Sequence, residues 1–125
     1  MTHTCIIAAR GHALLRALKR ALEPEFEVVA MADNIGSLLE SAAQLGADLV
    51  VLDLDMLVPD HVPLLEILRR RCPEAVLVGL SEEEHPIGEA VIEKARLAAI
   101  VPTSRAASVL VPTAKELMTD DAREL

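Results

Sequence analysis

Two hydrophobic periods alternate along this chain. Short runs in which nearly every position is apolar give way to longer stretches whose apolar residues recur three and four apart, the marks of buried strands and of amphipathic helices. The first run, T-C-I-I-A-A at 4–9, reads as a strand. It is followed over 12–23 by Leu14, Leu15, Leu18, Ala21 and Leu22 on one side, with Arg16, Lys19 and Arg20 on the other. That spacing predicts an amphipathic helix, which Pro24 stops. F-E-V-V-A at 26–30 is the second strand. Asp33 and Asn34 offer capping oxygens for a helix carried by Ile35, Leu38, Leu39 and Ala42, with Gly46 as its end.

The third strand, 48–53, is predicted to be the centre of the fold. It lies in A-D-L-V-V-L-D-L-D-M-L-V-P at 47–59, where Leu49, Val50, Val51 and Leu52 leave no polar side. A strand apolar on both faces of its pleat belongs in the middle of a parallel sheet with helices on either side. In such sheets the ligand crevice lies beyond the carboxyl ends of the strands, where Asp53 stands. Further on, the pattern predicts a helix over 63–71, a strand over 75–80, a helix over 87–98 and a short strand over 99–101. A last helix is expected from Ser104, but Pro112 falls inside it. Either the helix kinks there, or Pro112 is a first-turn residue. The second reading has support, because Ala114, Leu117, Met118, Ala122 and Leu125 form one stripe. Five strands alternating with five helices give an α/β fold with a doubly wound parallel sheet.

Composition narrows the function classes. A chain of 125 residues, 52% apolar and 26% charged, suits one domain with one core. The net charge of -8 argues against direct nucleic-acid binding. No apolar run approaches the roughly 20 residues of a membrane span. Residues 1–22 hold four Lys/Arg and no acid, but they read better as strand and helix than as a transit peptide. Cys5 and Cys72 are too few for a disulfide framework and are expected as reduced thiols in a cytoplasmic protein. Phe26 is the only aromatic residue, which removes stacking on bases or sugars.

At this point the chain resembles a response-regulator receiver domain of the CheY-like superfamily, over residues 1–118. L-D-L-D-M looks like the phospho-acceptor segment of that family, with Asp53 in the acceptor place. Ser81 takes the place of the hydroxyl residue that closes strand four, and I-V-P-T-S at 100–104 looks like the strand-five segment. The resemblance implies a flavodoxin-like (βα)5 sheet in the order 2-1-3-4-5. It also implies a cytoplasmic two-component signalling role, with residues 119–125 a tail or the start of a linker to an output domain. Lookalikes whose strand-five segment ends in P-K-S, where this chain has P-T-S, often precede helix-turn-helix domains.

The departures bear on mechanism. Where the family carries two Mg2+-holding acids after strand one, this chain has Ala9 and Arg10; its lysine is Thr103 and its aromatic switch residue is Ile100. Phosphoryl transfer rests on positioning and charge neutralisation, and Mg2+ needs carboxylates in a strict octahedron. The expectation is therefore a non-enzymatic pseudo-receiver without a cofactor. Mg2+, and a histidine kinase as partner, enter only if phosphorylation of Asp53 survives with Asp55 or Glu82 supplying carboxylates. Arg10 is expected to pair with Asp53 and replace the metal. Contact is expected with a second copy, an output domain or another protein through helix four, strand five and helix five, on Ile87, Val91, Ala95, Ile100 and residues beyond Ser104.

Other constellations read as ordinary structure. Asp53 and Asp55 do not make an expected metal pair, since a strand end followed by a loop need not keep them together. Glu82 to Glu84 reads as a solvated first turn, and Arg69 to Arg71 as a solvated helix end. His3, His12, His61 and His85 show no zinc spacing. Ser81 lacks a G-x-S-x-G elbow, so nucleophilic catalysis is not expected.

Overall fold

In a computed structural model, which describes residues 2–83 and 87–123, the strands are β1 (His3–Ala8), β2 (Phe26–Ala32), β3 (Leu49–Asp53), β4 (Val76–Leu80) and β5 (Ala99–Val101). They form one parallel sheet in the order β2-β1-β3-β4-β5. The helices are α1 (His12–Leu22), α2 (Ile35–Leu45), α3 (Val62–Arg71), α4 (Gly88–Ala95) and α5 (Ala106–Arg123). This is the doubly wound flavodoxin-like arrangement that the sequence pattern and the resemblance imply.

Every residue of β3 is buried. Val50 and Leu52 pack with Ile6, Ala8 and Leu77 toward Leu38 of α2, Leu65 and Leu68 of α3, and Val91 of α4. Leu49 and Val51 pack with Cys5, Ile7 and Val78 toward Leu15 and Leu18 of α1 and Leu110 of α5. The two-residue period of a strand thus feeds two apolar layers at once. Cys5 is fully buried and desolvation pushes its thiol up to about 12; burial also raises Cys72. Since the thiolate is the nucleophile, neither cysteine is expected to react with a thiol reagent at pH 8 until denaturant is added. Labelling of either thiol in the native protein, read by mass, would contradict this.

Helix ends follow local chemistry. Asn34 caps α2, its side-chain oxygen accepting from the Ser37 N–H at 2.9 Å, and Gly46 ends it at φ 64°. α4 stops at Ala95, three residues short of the sequence boundary, because Arg96 takes a left-handed conformation at φ 54°. α5 corrects the expectation for the last helix. It runs unbroken through Pro112 and past Met118 to Arg123, so a start at Pro112 does not hold. Ala106, Leu110 and Ala114, four apart, are all buried and hold the helix on the sheet, while Pro112 sits on the exposed side. Burial of that stripe offsets the roughly 3 kcal/mol cost of an interior proline. Leu125 lies outside the described residues.

Within the basic run 69–71, Arg70 and Arg71 are exposed as expected of a solvated end, but Arg69 is not. Arg69 is only 9% exposed. Its Nε donates to the Ala95 carbonyl, Nη1 to those of Cys72, Pro73 and Ala75, and Nη2 to that of Arg96, at 2.9 to 3.3 Å. One guanidinium therefore ties the ends of α3 and α4 together. Desolvation, then the neighbouring Arg96 charge, lowers its pKa, but a guanidinium begins so high that it stays charged. Arg71 reaches the other way, its Nη1 donating to the Leu39 carbonyl of α2 at 2.7 Å.

Candidate functional site

The carboxyl ends of β1, β3, β4 and β5 converge, as the parallel topology requires, and Asp53 lies in the middle of that edge. It is 4% exposed. Oδ2 accepts the backbone N–H of Arg10 at 3.2 Å, and Oδ1 accepts that of Asp55 at 3.0 Å. A turn of 3-10 helix over Leu54–Met56 begins directly after it, so Asp53 is also the cap of that turn.

The expected Arg10–Asp53 ion pair is not formed. Arg10 is exposed, and among the described residues no ion pair joins it to Asp53. Gly11, at φ 97°, turns the chain into α1 so that the Arg10 amide rather than its side chain faces the carboxylate. Two backbone donors already satisfy Asp53, and drawing a guanidinium into the edge would add a desolvation cost.

The other sequence-predicted residues fall into place unevenly. Ala9 is buried in the α1/α5 layer. Asp55 is exposed on the 3-10 turn. Ser81 is buried at the end of β4, where its hydroxyl donates to the Glu83 carbonyl and its N–H to that of Val101. The Thr103 hydroxyl is buried with no hydrogen-bond partner among the described residues. Ile100 is 40% exposed.

A contact that the sequence did not reveal completes the edge. Glu82 does not act as a solvated first turn of α4. Its Oε2 accepts the Ser104 N–H at 2.8 Å, and its Oε1 accepts the Ser104 hydroxyl. This fastens the loop after β4 to the turn after β5. The Ser104 hydroxyl, then its N–H, holds the Glu82 carboxyl below the usual carboxylate range. A carboxyl lowered in the fold contributes only above its unfolded value, so the tie is present at neutral pH and lost as pH falls through the lowered value. The Ser104 amide resonance is expected to titrate with a midpoint below that of a free glutamate; a midpoint at the free value would contradict the tie. Glu84 and His85 lie outside the described residues. The sequence cue was the Ser at the start of α5, a residue suited to a helix start.

The family's Mg2+ can be tested against these donors. Asp53 has both oxygens engaged by amides, Ala9 and Arg10 bring no carboxylate, and Glu82 is committed to Ser104. Among the described residues no three His, Cys, Asp or Glu side chains cluster as metal ligands. Among the described residues, the two positions after β1 supply no carboxylate for the ion.

Beside the crevice lies a groove of about 320 Å³, lined by Leu54, Ile92, Ile100 and Pro102 with Glu82, Glu83 and Glu89 among its polar residues. Two of the residues expected on the contact face are not accessible. Val91 and Ala95 are fully buried against the sheet, because Gly88, Val91 and Ala95 form the inner stripe of α4. The exposed apolar residue of that helix is Ile92, at 43%. Ile87 is half-buried against the core.

Neither a protein-family model nor a curated protein sequence matches the chain. Its structural neighbours are response-regulator receiver domains. A CheY-like receiver domain protein from Methanospirillum hungatei JF-1 is similar with a TM-score of 0.84 and 19% identity over 100% of both chains. The isolated REC domain of RcsB from Salmonella enterica serovar Typhimurium, in the apo form, gives 0.78 and 24%, covering 96% of this chain and 90% of that one. Against the Salmonella typhimurium RcsB response regulator described for its conformational dynamism in DNA interaction, the score is 0.78 at 22% identity, covering 96% of this chain. This chain spans 61% of that protein's length. At such identities the likeness is one of fold.

Proposed function

We propose that this chain is a receiver-like module in signal transduction that works by protein contact, is not an enzyme, and does not depend on phosphorylation. The observation that carries the reading is the state of Asp53. It occupies the acceptor position of a receiver fold, yet each of its oxygens accepts a backbone amide, and among the described residues no group of three or more His, Cys, Asp or Glu side chains could hold a metal ion. Phosphoryl transfer to a carboxylate requires a cation that neutralises charge and aligns the donor, and Ala9 and Arg10 bring no carboxylate to hold one. The tie between Glu82 and Ser104 adds to this, because it holds together the two loops whose rearrangement would report a phosphoryl group.

The module acts through α4, β5 and α5. Ile92, Ile100 and Pro102 supply an apolar contact, and the glutamates beside them favour a partner that brings positive charge. That partner is a second copy, an attached output domain or another protein, in the cytoplasm. The test is an amide NMR titration with Mg2+ and then Mg2+ with beryllofluoride, an acyl-phosphate mimic. A spectrum unchanged at millimolar concentrations is expected. Shifts spreading from Asp53 and Ser81 into β5 would overturn the reading in favour of a phosphorylated receiver served by a histidine kinase.

A further inference from the structure

We propose that the groove between the C-terminal ends of α3 and α4 binds a small phosphorylated anion, gripped by Arg70 and Arg96 over the buried guanidinium of Arg69. The groove measures about 390 Å³ and is lined by Glu66, Arg69, Arg70, Glu93, Lys94 and Arg96. It lies at the edge of the sheet where β4 and β5 begin, away from Asp53. In a chain of net charge -8, four cations meet two carboxylates there. Lys94 and Glu66 neutralise one another at 3.2 Å. What remains is three guanidiniums against Glu93.

Cations at helix C-termini ordinarily need no further explanation, since they answer the exposed carbonyls. Here Arg69 alone takes the carbonyls of Cys72, Ala95 and Arg96. Arg70 and Arg96 are thus left without that role, and among the described residues neither forms an ion pair. Arg96 is also the one described non-glycine residue with positive φ. Strained backbone of this kind gathers at functional sites. Arg69 itself has five N–H groups, and its Nη2 makes one bond, which leaves one N–H unspent beside the groove.

Planar guanidinium forks match the oxygens of phosphate better than a point charge does. The volume stands near the small end of ligand sites. No aromatic ring lines it, so the phosphate group rather than a base is what the groove would read.

The probe is pyrophosphate, titrated into the full chain at low ionic strength and followed by NMR, with sulfate and inorganic phosphate as comparators. Pyrophosphate is expected to move the Arg70 and Arg96 Nε–H resonances and the Cys72 and Leu97 amides. Arg70→Gln and Arg96→Gln should each weaken binding by about tenfold, while Glu93→Gln should tighten it roughly threefold. Arg96→Gly relieves the positive φ, so loss of binding in that variant with an unchanged or higher Tm separates a lost ligand contact from unfolding. Equal response to sulfate at matched ionic strength, unchanged affinity in the variants, or shifts centred on Arg16, Lys19 and Arg20 would overturn the proposal. None of these outcomes touches the reading of Asp53 or of the α4–β5 face, which lie elsewhere on the molecule.

Discussion

Arg69→Met is expected to lower the unfolding free energy by about 4 kcal/mol, read as a drop in the urea midpoint with the slope unchanged. The side chain is buried, and five carbonyls from the ends of α3 and α4 and the start of β4 converge on it. Methionine fills much of the volume but leaves those acceptors without donors. Each buried orphan costs roughly 1–3 kcal/mol, partly recovered where water reaches the groove. Arg69→Lys keeps the charge but not the fork, and should recover less than half of the loss. Arg71→Met is the internal control. Arg71 is exposed and makes one bond, to Leu39, so its loss should stay within about 1 kcal/mol. Equal effects at the two positions would mean that Arg69 is only a charged helix end.

The second large effect concerns Leu54, which is fully buried and follows Asp53 directly. Leu54→Ala should cost about 3 kcal/mol, the transfer term plus the cavity left in a layer that has little room to relax. Its neighbour makes the case sharper. A Cβ on Gly79 of β4 would stand 3.2 Å from Leu54 Cδ2 and 3.0 Å from Leu97 Cδ1. Gly79→Ala alone should therefore destabilise by about 1–2 kcal/mol through overpacking. In the double variant the new methyl enters the space that Leu54 vacates. The two losses should then fall short of their sum by about 1 kcal/mol. Additive losses would show that Leu97, not Leu54, sets the limit on β4 at Gly79. Leu54 also lines the groove beside Ile100, so the same packing shapes that groove.

The crevice and the contact face share one logic. A receiver couples a charged pocket to a surface through loops that move. In this chain the pocket carboxylate is satisfied by amides, and the loops after β4 and β5 are fastened to each other by Glu82 and Ser104. Ile100, where the family has its aromatic switch, is already outside in the groove. Under the proposed function the surface is presented permanently, and regulation comes from what the partner brings.

Much of this was legible in the residues. The all-apolar run ending at Asp53 placed β3 in the middle of the sheet, because only a strand covered on both faces has no use for polar positions. Period and stop signals located all five strands and the first four helices to within a few residues. Asp53, Ser81 and the 100–104 segment carried a resemblance to receiver domains, and that resemblance implied the strand order. Charge, by contrast, was misread wherever its meaning depended on a distant carbonyl or amide. Arg69 looked like a solvated helix end until α4 brought its terminal carbonyls alongside. Arg10 looked like a counter-ion, but the turn at Gly11 presents its amide instead. Glu82 looked like part of a solvated run and turned out to serve a residue 22 positions away. Pro112 marked a probable break by local rules, yet the buried stripe of Ala106, Leu110 and Ala114 outweighed it. Apolar periodicity is a local property that the chain carries on its face, so sequence alone determines the layers. Which polar atom meets which is settled only when the layers close, because hydrogen bonds act over a few ångströms between residues the sequence keeps far apart.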